Sequence, residues 1–242
     1  MINLVIDAGN TLTKVAFFEN NILTHLHAAP HVTRKELEPL LEEFKPSRMI
    51  ISDVSEKTNA FSGWLEETFP VLHMNAGTPS PLCIKYQSPG TLGSDRLAAA
   101  VFGASLYPQN NTLTIQAGTC LTYEFVNQAQ EYIGGAISPG LDMRFRALHT
   151  LTAKLPLIKK EKINFLTGKN TQASVLSGVI NGCSAEIDGI IDQYKAIYPD
   201  LMVIMGGGDA FFFDKTLKNR IFAVQNLVLR GLNLILEHNH KC

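Results

Sequence analysis

Short apolar runs separated by polar turns dominate the first third of the chain, a pattern typical of alternating strands and helices. Apolar residues at 4–6 and 15–18 flank the polar segment 7–10, which predicts a strand, a tight loop and a second strand. Between positions 31 and 44, large apolar residues recur at three- and four-residue spacing, and this spacing predicts a helix with one buried face. The residues on that face are Leu37, Leu40, Leu41 and Phe44.

Both ends of this helix carry signals of their own. Thr33 is a candidate N-cap because Glu36 follows three residues later, and Pro46 closes the segment. The pattern then predicts a buried strand at 49–51, a helix near 59–68 and a short strand at 71–73. A hairpin followed by alternating helices and strands indicates an α/β domain.

The pattern starts again after the polar segment 108–111. Leu113 stands 109 positions after Leu4, and both are followed by β-prone residues, a polar residue, Ala-Gly, Thr and Leu-Thr. Internal similarity of this kind indicates two related α/β domains, 1–112 and 113–242, although the match is short enough for chance to be the alternative. Further helices are predicted at 94–106, 141–153, 172–197 and 227–237, and further strands at 113–115, 121–126 and 201–205.

Composition narrows the class of protein. Of the 242 residues, 45% are hydrophobic and 18% charged, which suits a globular core and excludes a disordered tail. The 21 Lys and Arg residues balance 22 Asp and Glu residues, so we expect no nucleic-acid partner. The four cysteines form no C-x-x-C pair, and no apolar run reaches the length of a membrane span. We therefore expect no zinc site, no membrane partner and a cytoplasmic location.

The loop between the first two predicted strands has the chemistry of a phosphate-binding turn. Gly9 lets backbone N–H groups approach an anion, Thr11 and Thr13 offer hydroxyl groups, and Lys14 offers a positive charge. Asp7 can hold a hydrated Mg²⁺ through water. An ordinary hairpin turn is the alternative, since Asp, Gly and Asn favour turns. The related loop in the second half favours a ligand site, because two such loops can grip a polyphosphate across an interdomain cleft.

Other glycine-rich segments are less specific. No P-loop motif is present, and Gly9 lacks the context of a dinucleotide fold. Gly206-Gly207-Gly208 follows a predicted strand and suits adenosine lying against the backbone, with a strand-to-helix turn as the alternative. Segment 134–140 is interpreted as a shaped turn before a helix, and segment 159–162 as a solvated loop.

Gly93-Ser94-Asp95-Arg96 introduces the helix at 94–106 and is the strongest candidate for acid–base chemistry. Ser94 can cap the helix, and a carboxylate at Asp95 can accept a proton from a substrate hydroxyl. The alternative for Asp95 is a favourable charge in the first helical turn. Arg96 suits a substrate carboxylate through a paired N–H fork, and Tyr86 can line the same pocket or simply pack.

Four motifs in this order resemble the type III pantothenate kinase family over almost the whole chain. They are Asp7-Ala8-Gly9-Asn10-Thr11-Leu12-Thr13-Lys14, Gly93-Ser94-Asp95-Arg96, Ala117-Gly118-Thr119 and Gly134-Gly135-Ala136-Ile137-Ser138-Pro139-Gly140. The resemblance implies two ribonuclease-H-like domains around a nucleotide cleft, as in the acetate kinase, sugar kinase, heat-shock ATPase and actin superfamily. It also implies ATP-dependent phosphorylation of pantothenate, the first step of coenzyme A synthesis, by a homodimer that uses Mg²⁺ and a monovalent cation.

The resemblance also implies roles for individual residues. Asp95 is the implied catalytic base. The implied ATP contacts are Asp7, Ala8, Gly9, Asn10, Thr11, Leu12, Thr13, Lys14 and Thr119, to which the glycine segment adds Gly206, Gly207 and Gly208. The implied pantothenate contacts are Tyr86, Gly93, Ser94, Asp95, Arg96 and Thr171.

Two positions depart from the family pattern. Gln116 stands where the family usually has an Asp that serves the monovalent cation, K⁺ or NH₄⁺, and it offers a carbonyl oxygen without a charge. Glu124 also stands where Asp is more usual. Two other functions therefore stay open at this point: a kinase of the same superfamily for another small molecule, and a nucleotide-binding regulatory or accessory protein with weak or no kinase activity.

Overall fold

Two β-sheets form the framework of the protein. The computed structural model describes residues 1–53, 62–213 and 216–241. The first sheet contains β1 (Ile2–Ala8), β2 (Thr13–Glu19), β3 (Ile22–Ala29), β4 (Arg48–Asp53) and β5 (Val71–His73). The second contains β6 (Cys83–Ile84), β7 (Thr112–Ala117), β8 (Cys120–Val126), β9 (Glu131–Pro139), β10 (Met202–Gly206) and β11 (Phe222–Ala223). The helices are α1 (Arg34–Phe44), α2 (Ser62–Thr68), α3 (Ser94–Leu106), α4 (Leu141–Thr150), α5 (Thr171–Ile197), α6 (Ala210–Phe213) and α7 (Leu227–Lys241).

The two sheets have the same topology. The first runs β3-β2-β1-β4-β5, and the second runs β9-β8-β7-β10-β11 with β6 added beside β9. In each sheet the first three strands are antiparallel neighbours, and the last two run parallel to the first. This repeated order confirms the predicted fold class of two ribonuclease-H-like domains. The boundary between residues 112 and 113 stays a prediction, since β6 pairs in the second sheet and α7 contacts the first.

Helices and sheets alternate in five layers. The outer face of the first sheet, with Leu4 and Ile6, packs against α1. The outer face of the second sheet, with Leu113 and Ile115, packs against α4 and α5. Between the sheets lie α3 and α7, which pack against Val5 of the first sheet and other inner residues of both sheets. Because β1 is covered on both faces, its sequence is a continuous apolar run instead of an alternating one.

Glycines allow the middle layer to pack closely. A Cβ atom at Gly231 of α7 would lie 1.8 Å from the carbonyl oxygen of Ala98 in α3, and one at Gly103 of α3 would lie 1.8 Å from Thr114 Oγ1 of β7. A larger residue at either position would push the layers apart. The amino terminus of α3, which carries Asp95, is therefore held between the two sheets.

Several sequence predictions require correction. Four strands were missed. β3 alternates half-buried with exposed residues, β9 includes most of the segment interpreted as a turn before α4, and β6 and β11 have only two residues each. Only Gly140 lies at a helix start, as the N-cap of α4. Ser94 is not the cap of α3, because Gly93 occupies the N-cap position. The start of the helix predicted near 59–68 lies outside the described residues, and α2 occupies its second half.

The capping prediction for α1 is confirmed. Thr33 is the N-cap, and its backbone N–H and hydroxyl donate to the Glu36 carboxylate at 2.8 and 2.7 Å. In the described parts of the chain, no helix combines the length and the apolar character that crossing a membrane requires.

Candidate active site

The β1–β2 and β7–β8 hairpins present similar loops, of which the first is one residue longer. In the first, the Gly9 N–H donates to the Leu12 carbonyl at 3.1 Å; in the second, the Gly118 N–H donates to the Cys120 carbonyl at 3.0 Å. The tips of the loops meet, with Thr11 Oγ1 and Thr119 Oγ1 only 3.1 Å apart. The two predicted phosphate loops therefore face each other, one from each sheet.

The carboxylates of Asp7, Asp53 and Asp95 lie near one another beside the first loop. Asp7 stands opposite Lys14 on β2 and Ser52 on β4, and Asp53 ends β4. The pKa of Asp7 is raised to about 6, chiefly by burial and also by the charges of Asp95 and Asp53, while the charge of Lys14 acts in the opposite direction. A partly buried carboxylate with acidic neighbours is a strong candidate for contact with a cation.

Sequence reasoning missed Asp53 and Ser52. A signal was available, because both follow the apolar run 49–51, and the ends of parallel strands lie at the same edge of a sheet. Among the described residues, no group of three His, Cys, Asp or Glu side chains is arranged to hold a metal ion directly. The expected contact of Asp7 with Mg²⁺ through water needs no such group.

Asp95 lies in the first turn of α3, facing these residues. Its Oδ1 accepts the backbone N–H of Arg96 at 2.9 Å. Ser94 is joined to the buried Ser52 by a hydroxyl–hydroxyl hydrogen bond of 2.7 Å, which ties the start of α3 to the end of β4. A Cβ atom at Gly93 would lie 2.7 Å from Asp95 Oδ1, so glycine leaves room for this carboxylate.

Arg96 is buried in an ion pair within the protein. Its Nε and Nη2 donate to the two oxygens of Glu124, each at 2.8 Å, and Arg96 is 8% exposed while Glu124 is fully buried. Tyr132 donates its hydroxyl to Glu124 Oε2 at 2.6 Å, and the ring of Tyr86 lies 5.9 Å from the guanidinium carbon. Arg96 therefore binds Glu124 through the pair of N–H groups that was expected to hold a substrate carboxylate. Only the rest of its guanidinium is left for a ligand.

Gln116 contributes a buried acceptor at the end of β7. It stands between Thr122 of β8 and Gly206 of β10. Its Oε1 is inaccessible to solvent and has no hydrogen-bond partner among the described residues. An unpaired buried carbonyl oxygen is costly unless a further group binds it, and a cation is one such group.

The three glycines after β10 differ in their surroundings. A Cβ atom at Gly206 would meet Leu227 at 2.8 Å, and one at Gly207 would meet the carbonyl oxygen of Ala117 at 2.1 Å. Gly207 also has a φ of +100°, which disfavours any side chain. Only Gly208 faces open space. The first two glycines therefore pack closely against α7 and the second loop, which leaves only their backbone for a ligand, whereas the third also borders open space among the described residues.

Two further features are a cavity beside the start of α3 and the predicted substrate contact Thr171. A cavity of about 310 Å³ lies against the start of α3, with Gly93 and Ser94 in its wall. Thr171 begins α5 on the surface of the second half, after the N-cap Asn170. No hydrogen bond in the described parts of the chain joins Thr171 to the Asp95 region, and its contact with pantothenate stays a prediction.

Comparison with known proteins identifies the family. The family model of type III pantothenate kinase matches residues 3–193. The chain belongs to the type III pantothenate kinase family. The type III pantothenate kinase of Cytophaga hutchinsonii is 43% identical over 98% of this chain and 99% of its own. That of Bacteroides fragilis is 41% identical over 98% of each chain.

A likeness to a solved structure supports the fold alone. Component A of the (R)-2-hydroxyglutaryl-CoA dehydratase of Acidaminococcus fermentans aligns over the whole of both chains with a TM-score of 0.58 and 12% identity. The family resemblance stated from four motifs is confirmed by the near-full-length relatives. In this member of the family, the two loops and the start of α3 converge.

Proposed function

We propose that this protein transfers the γ-phosphoryl group of ATP to the primary hydroxyl of pantothenate, the first step of coenzyme A synthesis. Family membership supports the reaction, and the observation that carries the site is the meeting of the two loops beside Asp7 and Asp95. An actin-like fold with opposed loops suits a polyphosphate, because both halves can donate N–H and hydroxyl groups to it.

Asp95 acts as the base in the proposed mechanism. Its carboxylate accepts the hydroxyl proton of pantothenate while the hydroxyl oxygen forms a bond to the γ-phosphorus and the bond to the β–γ bridging oxygen breaks, so that ADP leaves. Positioning and charge neutralisation account for most of catalysis in phosphoryl transfer. Lys14 supplies positive charge at the phosphates, and Asp7 is the residue that would hold Mg²⁺ through water, which supplies further neutralisation when bound.

The remaining proposed contacts follow the family motifs. The nucleotide lies between the first loop, Thr119 and the glycine segment, where Gly208 is open. Pantothenate lies at the start of α3, and Arg96 reaches it with the part of its guanidinium that Glu124 leaves free. The full set of proposed contacts is Asp7, Ala8, Gly9, Asn10, Thr11, Leu12, Thr13, Lys14, Thr119, Gly206, Gly207 and Gly208 for ATP, and Tyr86, Gly93, Ser94, Asp95, Arg96 and Thr171 for pantothenate.

Gln116 fits a monovalent cation, K⁺ or NH₄⁺, through its unpaired carbonyl oxygen. A neutral ligand provides less attraction than the usual Asp, so we expect a cation to be bound weakly here. A homodimer is part of the same proposal, supported by two exposed apolar residues of β9, Ile133 and Ile137. The cytoplasmic location stays a prediction.

One assay tests the proposal. Purified protein is given Mg²⁺–ATP and pantothenate, with and without added K⁺ or NH₄⁺, and phosphopantothenate is measured. We expect product in every case and a modest cation effect. A panel of other small alcohols separates the same-superfamily alternative, for which another acceptor would react better. ATP binding without any phosphorylated product would contradict the kinase proposal and favour the accessory protein.

A further inference from the structure

Lys160 occupies an unusual place for a lysine in a segment that the sequence suggests is solvated. It lies in the long connection between α4 and α5, and its ammonium donates to Asp142 Oδ2 at 2.8 Å and to Asp209 Oδ1 at 2.7 Å. The Lys160 side chain is 31% exposed and that of Asp209 only 12%. The neighbouring Lys159 is exposed. Lys160 therefore departs from the expected solvated loop.

Asp209 and Asp142 both lie in segments whose backbone is hydrogen-bonded to the second loop or to the end of the strand before it. The Asp209 backbone N–H donates to the Ala117 carbonyl at 3.0 Å. Asp142 lies in the first turn of α4, whose N-cap Gly140 donates its N–H to the Thr119 carbonyl at 3.2 Å. One ammonium group thus joins two backbone supports of the same loop.

We propose that Lys160 is a positioning residue for nucleotide binding, which it supports by holding these two segments against the second loop and by neutralising Asp142 and Asp209. The proposal rests on the proposed role of that loop in binding ATP. Without the ammonium group, two carboxylates would lose their counter-charge close to a site for phosphate oxygens, and their repulsion would weaken nucleotide binding. Pantothenate, at the start of α3, would be little affected.

The proposed role requires that Lys160 be protonated at neutral pH. Burial lowers the pKa of Lys160, but its hydrogen bonds to Asp142 and Asp209 and their charges raise it, and the net direction is upward. Lys160 therefore keeps its charge at neutral pH. Arginine at the same position can also donate to two carboxylates, so it is a suitable conservative replacement.

The test compares Lys160→Met and Lys160→Arg with Lys159→Met as the matched control. For Lys160→Met we expect the Kd and the KM for Mg²⁺–ATP to rise about tenfold, the size expected for one charged hydrogen bond, with the KM for pantothenate changed less than twofold. Lys160→Arg should recover most of the loss, and Lys159→Met should behave as the unchanged protein.

Amide hydrogen exchange provides a readout that does not depend on the reaction. In the absence of nucleotide, Lys160→Met should speed exchange at the N–H groups of Gly140 and Asp209, and Lys159→Met should not. Unchanged exchange at these N–H groups in Lys160→Met would overturn the proposal that Lys160 positions the two segments. Faster exchange with unchanged ATP binding, or equal losses for both substrates, would overturn the role in nucleotide binding. A parent protein that fails to bind ATP would overturn the proposed function and this role together.

Discussion

At the scale of single residues, Asp95 and Asp7 divide the expected chemistry between them. Asp95 is partly exposed at a helix start, where its carboxylate can meet a substrate hydroxyl. Burial and two acidic neighbours raise the pKa of Asp7, and a bound cation would offset them by stabilising the carboxylate form. Two carboxylates in different surroundings can therefore take different roles in one site.

Replacing Asp95 with Asn should lower kcat by at least about a hundredfold, because loss of a general base typically costs that much. The Kd for Mg²⁺–ATP should change little, since Asp95 is proposed to meet the acceptor hydroxyl and is not among the proposed ATP contacts. Steady-state kinetics and calorimetry provide the two values. Near-normal kcat with a lower melting temperature would instead support the helix-dipole interpretation of Asp95.

Replacing Asp7 with Asn should abolish activity and yet stabilise the protein at neutral pH. Because the folded-state pKa of about 6 lies above the value in an unfolded chain, the contribution of Asp7 to stability is full at low pH and is lost as pH rises through 6. We expect the variant to gain about 1–3 kcal/mol in unfolding free energy at pH 7.5 and little at pH 4. Urea unfolding at both pH values measures this difference.

Glu36→Gln provides the control for this pH effect. Hydrogen bonds from Thr33 lower the pKa of Glu36, so its contribution to stability is present at neutral pH and lost in acid. The control should therefore be less stable than the parent at pH 7.5. A gain for both variants, or the same change for Asp7→Asn at pH 4 and pH 7.5, would rule out a raised pKa at Asp7.

At the scale of elements, the second loop owes its shape to the segments behind it. Gly207 packs on Ala117 with a positive φ, and Gly140 packs on Gly118 and Thr119. These glycines leave no space for a side chain, so the supporting backbone can approach the loop directly. The site is consequently built from backbone contacts among β7, β9, α4 and the segment after β10, and not from the loop alone.

The glycines after β10 make this dependence measurable. Gly207→Ala should lower the unfolding free energy by about 2–4 kcal/mol, from a strained φ and a contact with Ala117, and should weaken ATP binding. Gly208→Ala, with open space around it, should change stability by less than about 1 kcal/mol. Denaturant unfolding of the two variants compares them, and equal losses would contradict the packing role of Gly207.

At the scale of the whole molecule, the middle layer joins the two halves. Asn3 of β1 donates to Asn233 at 2.8 Å and to Glu237 at 2.7 Å, so the carboxy-terminal helix is hydrogen-bonded to the first strand. The same helix packs on α3, which carries Asp95. Loosening α7 should therefore affect catalysis at a distance, because it would let the start of α3 move relative to both loops.

Gly231→Ala tests this coupling. The added methyl group would overlap the carbonyl oxygen of Ala98, and we expect a loss of about 1–3 kcal/mol in unfolding free energy together with a lower kcat. Gly63→Ala in α2, where no atom of the described residues lies within 4 Å of the added Cβ, is the control and should be neutral or stabilising by up to about 1 kcal/mol. An unchanged kcat in the Gly231→Ala variant would contradict the proposed effect of α7 packing on catalysis.

Much of the fold was predictable because its elements have strong local signals. The buried parallel strands β1 and β4 are continuous apolar runs, and α1 has both its periodicity and its cap in the sequence. β3 and β9 were missed because edge strands are partly exposed and glycine-rich segments resemble turns, so pairing with a neighbour decides their conformation. Asp53 was missed because its position near Asp7 depends on the parallel pairing of β4 with β1.

The sequence by itself determined the repeated hairpin loops, the two-domain fold class and the family, since these depend on local patterns and on motifs in a fixed order. Only the tertiary structure decided that Thr11 meets Thr119, that Arg96 is bound to Glu124 and that Lys160 joins Asp142 to Asp209. These contacts join residues far apart in the chain. A side chain's charge is readable from its letter, but its partner depends on how the layers pack.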